Sequence, residues 1–186
     1  MKHLLLCTAL ALFGLCTSCS QDEVATAIGV GAEAAGVAAA LVTTTALPAE
    51  APLILTGAAT ACNAAVDILN DSTANMTLQD LMNLVYSTDP QVAKYKAIIN
   101  FCLPVVNDII GKYMATAVSD LPANVKADLI AFFGGVATGL GESSTMTVEK
   151  VLAKNEHARK AAAKMGLGSF DVNALINGLK NAGAKK

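Results

Sequence analysis

Five cysteines and two histidines are the side chains in this 186-residue sequence best suited to covalent, metal or proton-transfer chemistry. Cys7, Cys16 and Cys19 cluster near the first residue, Cys62 and Cys102 lie in the body, and His3 and His157 are far apart. A zinc site needs about four nitrogen, sulfur or oxygen ligands at compatible spacing, and one body histidine with two separated cysteines does not supply them. A general base must be held within hydrogen-bond reach of a nucleophile by a third group. His157 instead lies between Glu156 and Arg159 in a charged run, which reads as a solvated surface. The stretch GGVATGLGESST has glycines and hydroxyls but lacks the lysine that a P-loop places on phosphate. Acidic residues are scattered one by one, without the pairing that glycoside hydrolysis needs. The sequence therefore assigns no catalytic residue, no metal ligand and no cofactor. What remains is the chemistry of thiols.

The first nineteen residues place one of those thiols. Lys2 and His3 form a short basic head, and Leu4 to Leu15 is an apolar run of signal-peptide length, too short for the roughly 20 residues of a membrane span. It ends in Leu15-Cys16-Thr17-Ser18-Cys19, with small residues before the last cysteine. This end resembles the lipobox of bacterial lipoprotein precursors, with Cys16 where leucine is usual. The resemblance covers residues 1–19 only. It implies that residues 1–18 are a signal peptide, that Cys19 becomes the lipidated N-terminus, and that residues 19–23 are a solvated tether to the membrane. Ser20 after the cysteine is similar to the outer-membrane choice in such lipoproteins, and the acidic Asp22-Glu23 to a surface-export tag. The expected location is the cell envelope, lipid-anchored, on the periplasmic face or cell surface of the outer membrane. The alternative is an ordinary cut after Ser18 or Ser20 and a secreted protein.

With Cys7 and Cys16 removed and Cys19 acylated, Cys62 and Cys102 are an even pair in an oxidising compartment, where a disulfide between them is possible. Charge is unevenly spread. Residues 19–146 carry twelve acidic and four basic side chains, whereas residues 147–186 carry three acidic and eight basic ones. Lys150, Lys154, Arg159, Lys160 and Lys164 make the basic end a candidate contact for the membrane, an envelope protein or an anionic surface. Nucleic acid is not an expected partner, since Phe170 is the basic segment's one stacking residue.

These residues must be held by helices. The chain is 54% hydrophobic but only 4% aromatic, with no tryptophan, a composition rich in small and aliphatic side chains that favours close helix packing. Ala25, Gly29, Ala32, Gly36, Ala39 and Thr43 recur in steps of four and three, which puts them on one helical seam. Pro48 and Pro52 bracket a turn, and 53–69 resumes an apolar helix, so 24–69 is expected to be an Ala/Gly-rich hairpin with a small-residue interface. Thr77 and Asp80 mark a capping-box start. Asp89-Pro90 opens the clearest helix, on which Val92, Tyr95, Ile99, Cys102, Val106, Ile109 and Tyr113 form a stripe that Pro104 interrupts. Asp120-Leu121-Pro122 opens the next helix, with Val125, Leu129, Phe132, Val136 and Leu140 inward and Gly134, Gly135 and Gly139 weakening it unless close packing needs them. Thr147 and Asp171 cap two final helices, and 183–186 is a basic tail. The expected fold is all-α, a single bundle of about six helices in which 77–182 completes one domain with the hairpin.

Three functional readings follow. The first is a lipid-anchored, non-catalytic binding or structural module of the envelope. The second is a membrane-active protein whose hairpin, 24–69, inserts or oligomerises in the bilayer. There Glu33 is a buried charge costing about 2.5–3.5 kcal/mol on insertion scales. The third is a carrier for an apolar ligand.

Overall fold

The computed structural model describes residues 21–85, 90–143 and 172–181, and the described residues form an all-α bundle with no strand. We number its α-helices α1 (Gln21–Ala46), α2 (Ala51–Asn70), α3 (Leu78–Val85), α4 (Pro90–Cys102), α5 (Asn107–Tyr113), α6 (Ala123–Ser143) and α7 (Val172–Asn181).

The starts and stops follow local chemistry. The Leu47 carbonyl accepts from the Glu50 and Ala51 amides (3.1 and 2.9 Å), closing the turn after α1, and a proline sits in the first turn of α2, where no amide hydrogen is needed. Before α3, the Thr77 hydroxyl oxygen accepts from the Asp80 amide at 3.1 Å, while Asp80 accepts from the Thr77 amide at 3.1 Å. This is the reciprocal capping box that the sequence predicts. The same threonine pairs with Ala117 as an isolated bridge, flanked by Leu78 N–H to Thr116 and Val118 N–H to Met76. That patch ties the start of α3 to the chain leaving α5. At Pro104 the stripe helix breaks as expected: α4 ends at Cys102, Leu103–Val105 is a single 3₁₀ turn, and α5 resumes at Asn107.

α1 is the central helix. Along it Ile28, Ala32, Ala35, Val37, Ala39, Ala40 and Thr43 are buried, and it packs most extensively on α6. Here the expectation for the small-residue seam needs correcting. α1 and α2 are consecutive helices joined by a tight turn, but the seam of α1 faces α6 rather than α2. Gly29 lies against Ala131 and Gly135, and Gly36 against Val136, Gly139 and Leu140. Numbers rise together on both helices, so α1 and α6 run parallel. A Cβ on Gly36 would sit 2.7 Å from the Val136 carbonyl oxygen, and one on Gly135 or Gly139 would collide with the carbonyl of Gly29 or Glu33. Glycine is therefore required on both sides of this contact. No such need holds at Gly134, beside which there is open space.

α2 covers α6 and α4 with Ile54, Leu55, Ala58, Cys62, Ala65 and Leu69. Its other side, Thr56, Thr60, Asn63, Asp67 and Asn70, is exposed. α4 docks on α2 by the Lys94–Glu50 ion pair and by the Tyr95 ring laid on Gly57. The five inward residues expected of α6 are all buried, and Phe132 meets Phe133 edge-to-face at 5.1 Å. Rings in that geometry add about 0.5–1.5 kcal/mol beyond area burial. α7 closes on α4, with Gly178 against Ala97.

Candidate functional site

Three places in the fold hold groups that could act. The first is the thiol pair. Cys62 sits in the middle of α2 and Cys102 at the last position of α4, and both are free, fully buried thiols in one apolar cluster. The helices that carry them pack together, with Tyr95 on Gly57 fixing their register one to two turns earlier. Burial pushes the Cys62 thiol up to about 12. Cys102 is held well above its ordinary value by burial and then by the neighbouring Cys62 charge. A thiol without thiolate is neither a nucleophile nor a metal ligand, so the native pair is chemically quiet. No group of three or more His, Cys, Asp or Glu suited to a metal occurs among the described residues.

The second is Asp128 on α6. Only 7% of it is exposed, and its Oδ1 is buried without a hydrogen-bond partner. Loss of water pushes its carboxyl above the usual range, since burial disfavours the charged form. Asp128 lies seven residues before Gly135, so it continues the face that carries the glycine contact towards the first turns of α1. The sequence contains a signal for it, because an aspartate one turn before Phe132 falls beside an inward stripe. Reading the acidic residues as scattered one by one passes over that signal.

The third is a groove at the Pro104 break. It has a volume of about 830 Å³ and is lined by Val24 of α1, by Asn100 and Leu103, and by Pro104 to Ile109. Pro104, Asn107 and Asp108 are exposed at it, while Leu103, Val105 and Ile109 are half-buried. Sequence reasoning finds the proline but not the groove, because the wall supplied by Val24 comes from eighty residues away.

α1 is already helical at Gln21, so the polar residues 21–23, expected as part of a tether, belong to that helix. Cys19 and the basic set Lys150, Lys154, Arg159, Lys160 and Lys164 lie outside the described residues, as does His157. Compared with known proteins, the chain matches no family model, no curated protein and no solved structure.

Proposed function

We infer that the protein is a lipid-anchored helical module of the cell envelope, tethered through Cys19 and acting by binding or by structure rather than by catalysis. The observation that carries this reading is how the two most apolar helices are used. Val24–Ala46 and Ala51–Asn70 are long and apolar enough to cross a membrane. Yet α1 lies at the centre of the bundle, and α2 turns threonine, asparagine and aspartate outwards. Lipid around α2 would leave those polar groups without water, at a cost of roughly 2–7 kcal/mol for each neutral group left unpaired and more for the Asp67 carboxylate. A folded domain in water, held by acyl chains, meets both the apolar composition and the polar exterior. The lipobox-like Thr17-Ser18-Cys19 supplies the attachment, and more than one acyl chain makes it stable. Direct backbone contact between α1 and α6 fills the small-residue seam, which counts against an apolar ligand held there.

Alkaline carbonate extraction of the Cys19→Ala variant tests the reading. Release of the variant into solution, while the parent stays with membranes and carries added acyl mass, is the expected result. Retention of the variant favours the inserting hairpin, the second reading that the length and composition of α1 and α2 keep open. A parent without acyl mass rejects the anchor.

A further inference from the structure

We propose that the groove at the Pro104 break is a bilayer-contact surface, seated on phospholipid by the shortness of the link to Cys19. This rests on the lipid anchor proposed above. Gln21 is already part of helix α1 and is two residues after Cys19, and two residues span at most about 7 Å. Val24 is about 5 Å further along the helix at 1.5 Å per residue, and it forms one wall of the groove. The headgroup layer on each side of a bilayer is itself roughly 5–7 Å deep. An acylated Cys19 therefore holds this end of the bundle at the lipid surface, with little slack to lift it off.

What the bundle presents there suits an interface. Leu103, Val105 and Ile109 offer apolar surface where the proline interrupts the helix, and Asn100, Asn107 and Asp108 stand beside them as groups that stay wet. A mixed rim of this kind fits the headgroup region better than the hydrocarbon core. The opposite end of α1 lies about 38 Å away, where Leu53 is 61% exposed on the first turn of α2. If apolar exposure alone drew the protein to lipid, Leu53 would compete. The link to Cys19 selects the groove end instead.

The chain has no tryptophan, so single reporters are clean. Lipidated Ile109→Trp, Asn107→Trp and Leu53→Trp proteins would be placed on vesicles of phosphatidylethanolamine and phosphatidylglycerol bearing dibrominated acyl chains. Each is first checked for parental helical circular dichroism, acyl mass and sedimentation with vesicles. Two groove reporters guard against one of them failing to fold. The expected result is blue-shifted, bromine-quenched emission from the Ile109→Trp and Asn107→Trp proteins and unquenched emission from Leu53→Trp. A Gly/Ser linker of about 20 residues between Ser20 and Gln21, spreading over roughly 25 Å, should abolish the quenching and keep the acyl mass and sedimentation. Acylated, sedimenting protein with unquenched groove reporters overturns the groove contact and leaves the anchor standing. Equal quenching at Leu53→Trp, or quenching that survives the linker, also overturns it. Absence of acyl mass is the separate failure of the anchor, and removes the ground for this contact with it.

Discussion

The backbone of Gly139 rests against the carbonyl oxygen of Glu33 so closely that a methyl group on Gly139 would overlap that oxygen. The same relation joins Gly135 to the carbonyl of Gly29 one helical turn away, and together they set how near α1 and α6 lie. Gly139→Ala must push the backbones of α1 and α6 apart, not rotate a side chain, so it should destabilise by about 1–3 kcal/mol, the usual range for overpacking. Gly134→Ala meets open space and should stabilise by about 0.5–1 kcal/mol through helix propensity alone. Urea unfolding of both variants checks the pair. Equal effects of either sign would remove the glycine contact as the organiser of the bundle.

The capping box makes a second prediction. Thr77→Ala removes the side-chain acceptor for the Asp80 amide, and loss of such a cap costs about 0.5–2 kcal/mol. The Thr77 hydroxyl and then the Thr77 amide, both donating to Asp80, hold its carboxyl below the ordinary value. A depressed carboxyl stabilises the fold above its unfolded value, and that contribution is lost as pH falls through the folded value. The Thr77→Ala deficit should therefore be largest near neutral pH and shrink in acid. A deficit unchanged between pH 7 and pH 3 would show that the charged bond is not what the cap contributes.

Asp128 behaves in the opposite sense. Its carboxyl is raised by burial, so the unfolded chain ionises first and the fold loses stability as pH rises through the interval between the two values. Asp128→Asn keeps the shape without the charge. The variant should match or exceed the parent in urea midpoint at pH 7, and the gap should close at pH values where the parent carboxyl is protonated. A variant markedly less stable at pH 7 would mean that the carboxylate has a partner worth more than its burial costs.

Particular residues show why some of this was legible in the sequence and some was not. Thr77, Asp80 and Pro104 act on their own neighbourhood, so their types and spacing sufficed to predict the cap and the break. The inward stripe of α6 was legible for the same reason, since the 3.6-residue period decides it. Gly134, Gly135 and Gly139 look alike as letters. Only the approach of α1 separates the two that must be glycine from the one that need not be. Steps of four and three between small residues announce a close neighbour without naming it, so the pattern points equally to the adjacent hairpin partner and to α6, which is the helix that fills the seam. The groove escaped because its two walls, Val24 and 100–109, are joined by topology and not by any local pattern.

The last prediction concerns Cys62 and Cys102. Both are buried free thiols on packed helices, and burial keeps both in the neutral form, Cys62 up to about 12. In the unfolded chain a thiol ionises near its ordinary 9.0. Folding stability from this pair is thus complete below that value and declines as pH rises from about 9 towards 12, because the unfolded state releases protons that the fold retains. Native reduced protein should react with iodoacetamide only as fast as the core opens, and in denaturant both thiols should react at once. Rapid labelling of either cysteine in the native state would contradict their burial. Refolding in a mixture of reduced and oxidised glutathione gives the pair its chance to close before burial, one glutathione disulfide being reduced to two glutathione thiols that take up the two cysteine protons as the Cys62–Cys102 bond forms. The loop closed is about 40 residues, for which the chain-entropy account gives on the order of 4 kcal/mol. Peptide mapping after alkylation without reductant should then show a Cys62–Cys102 linkage and a raised urea midpoint. Two alkylated cysteines after such refolding would mean that α2 and α4 hold the sulfurs outside bonding geometry, with Cys62 and Cys102 serving as small apolar packing residues.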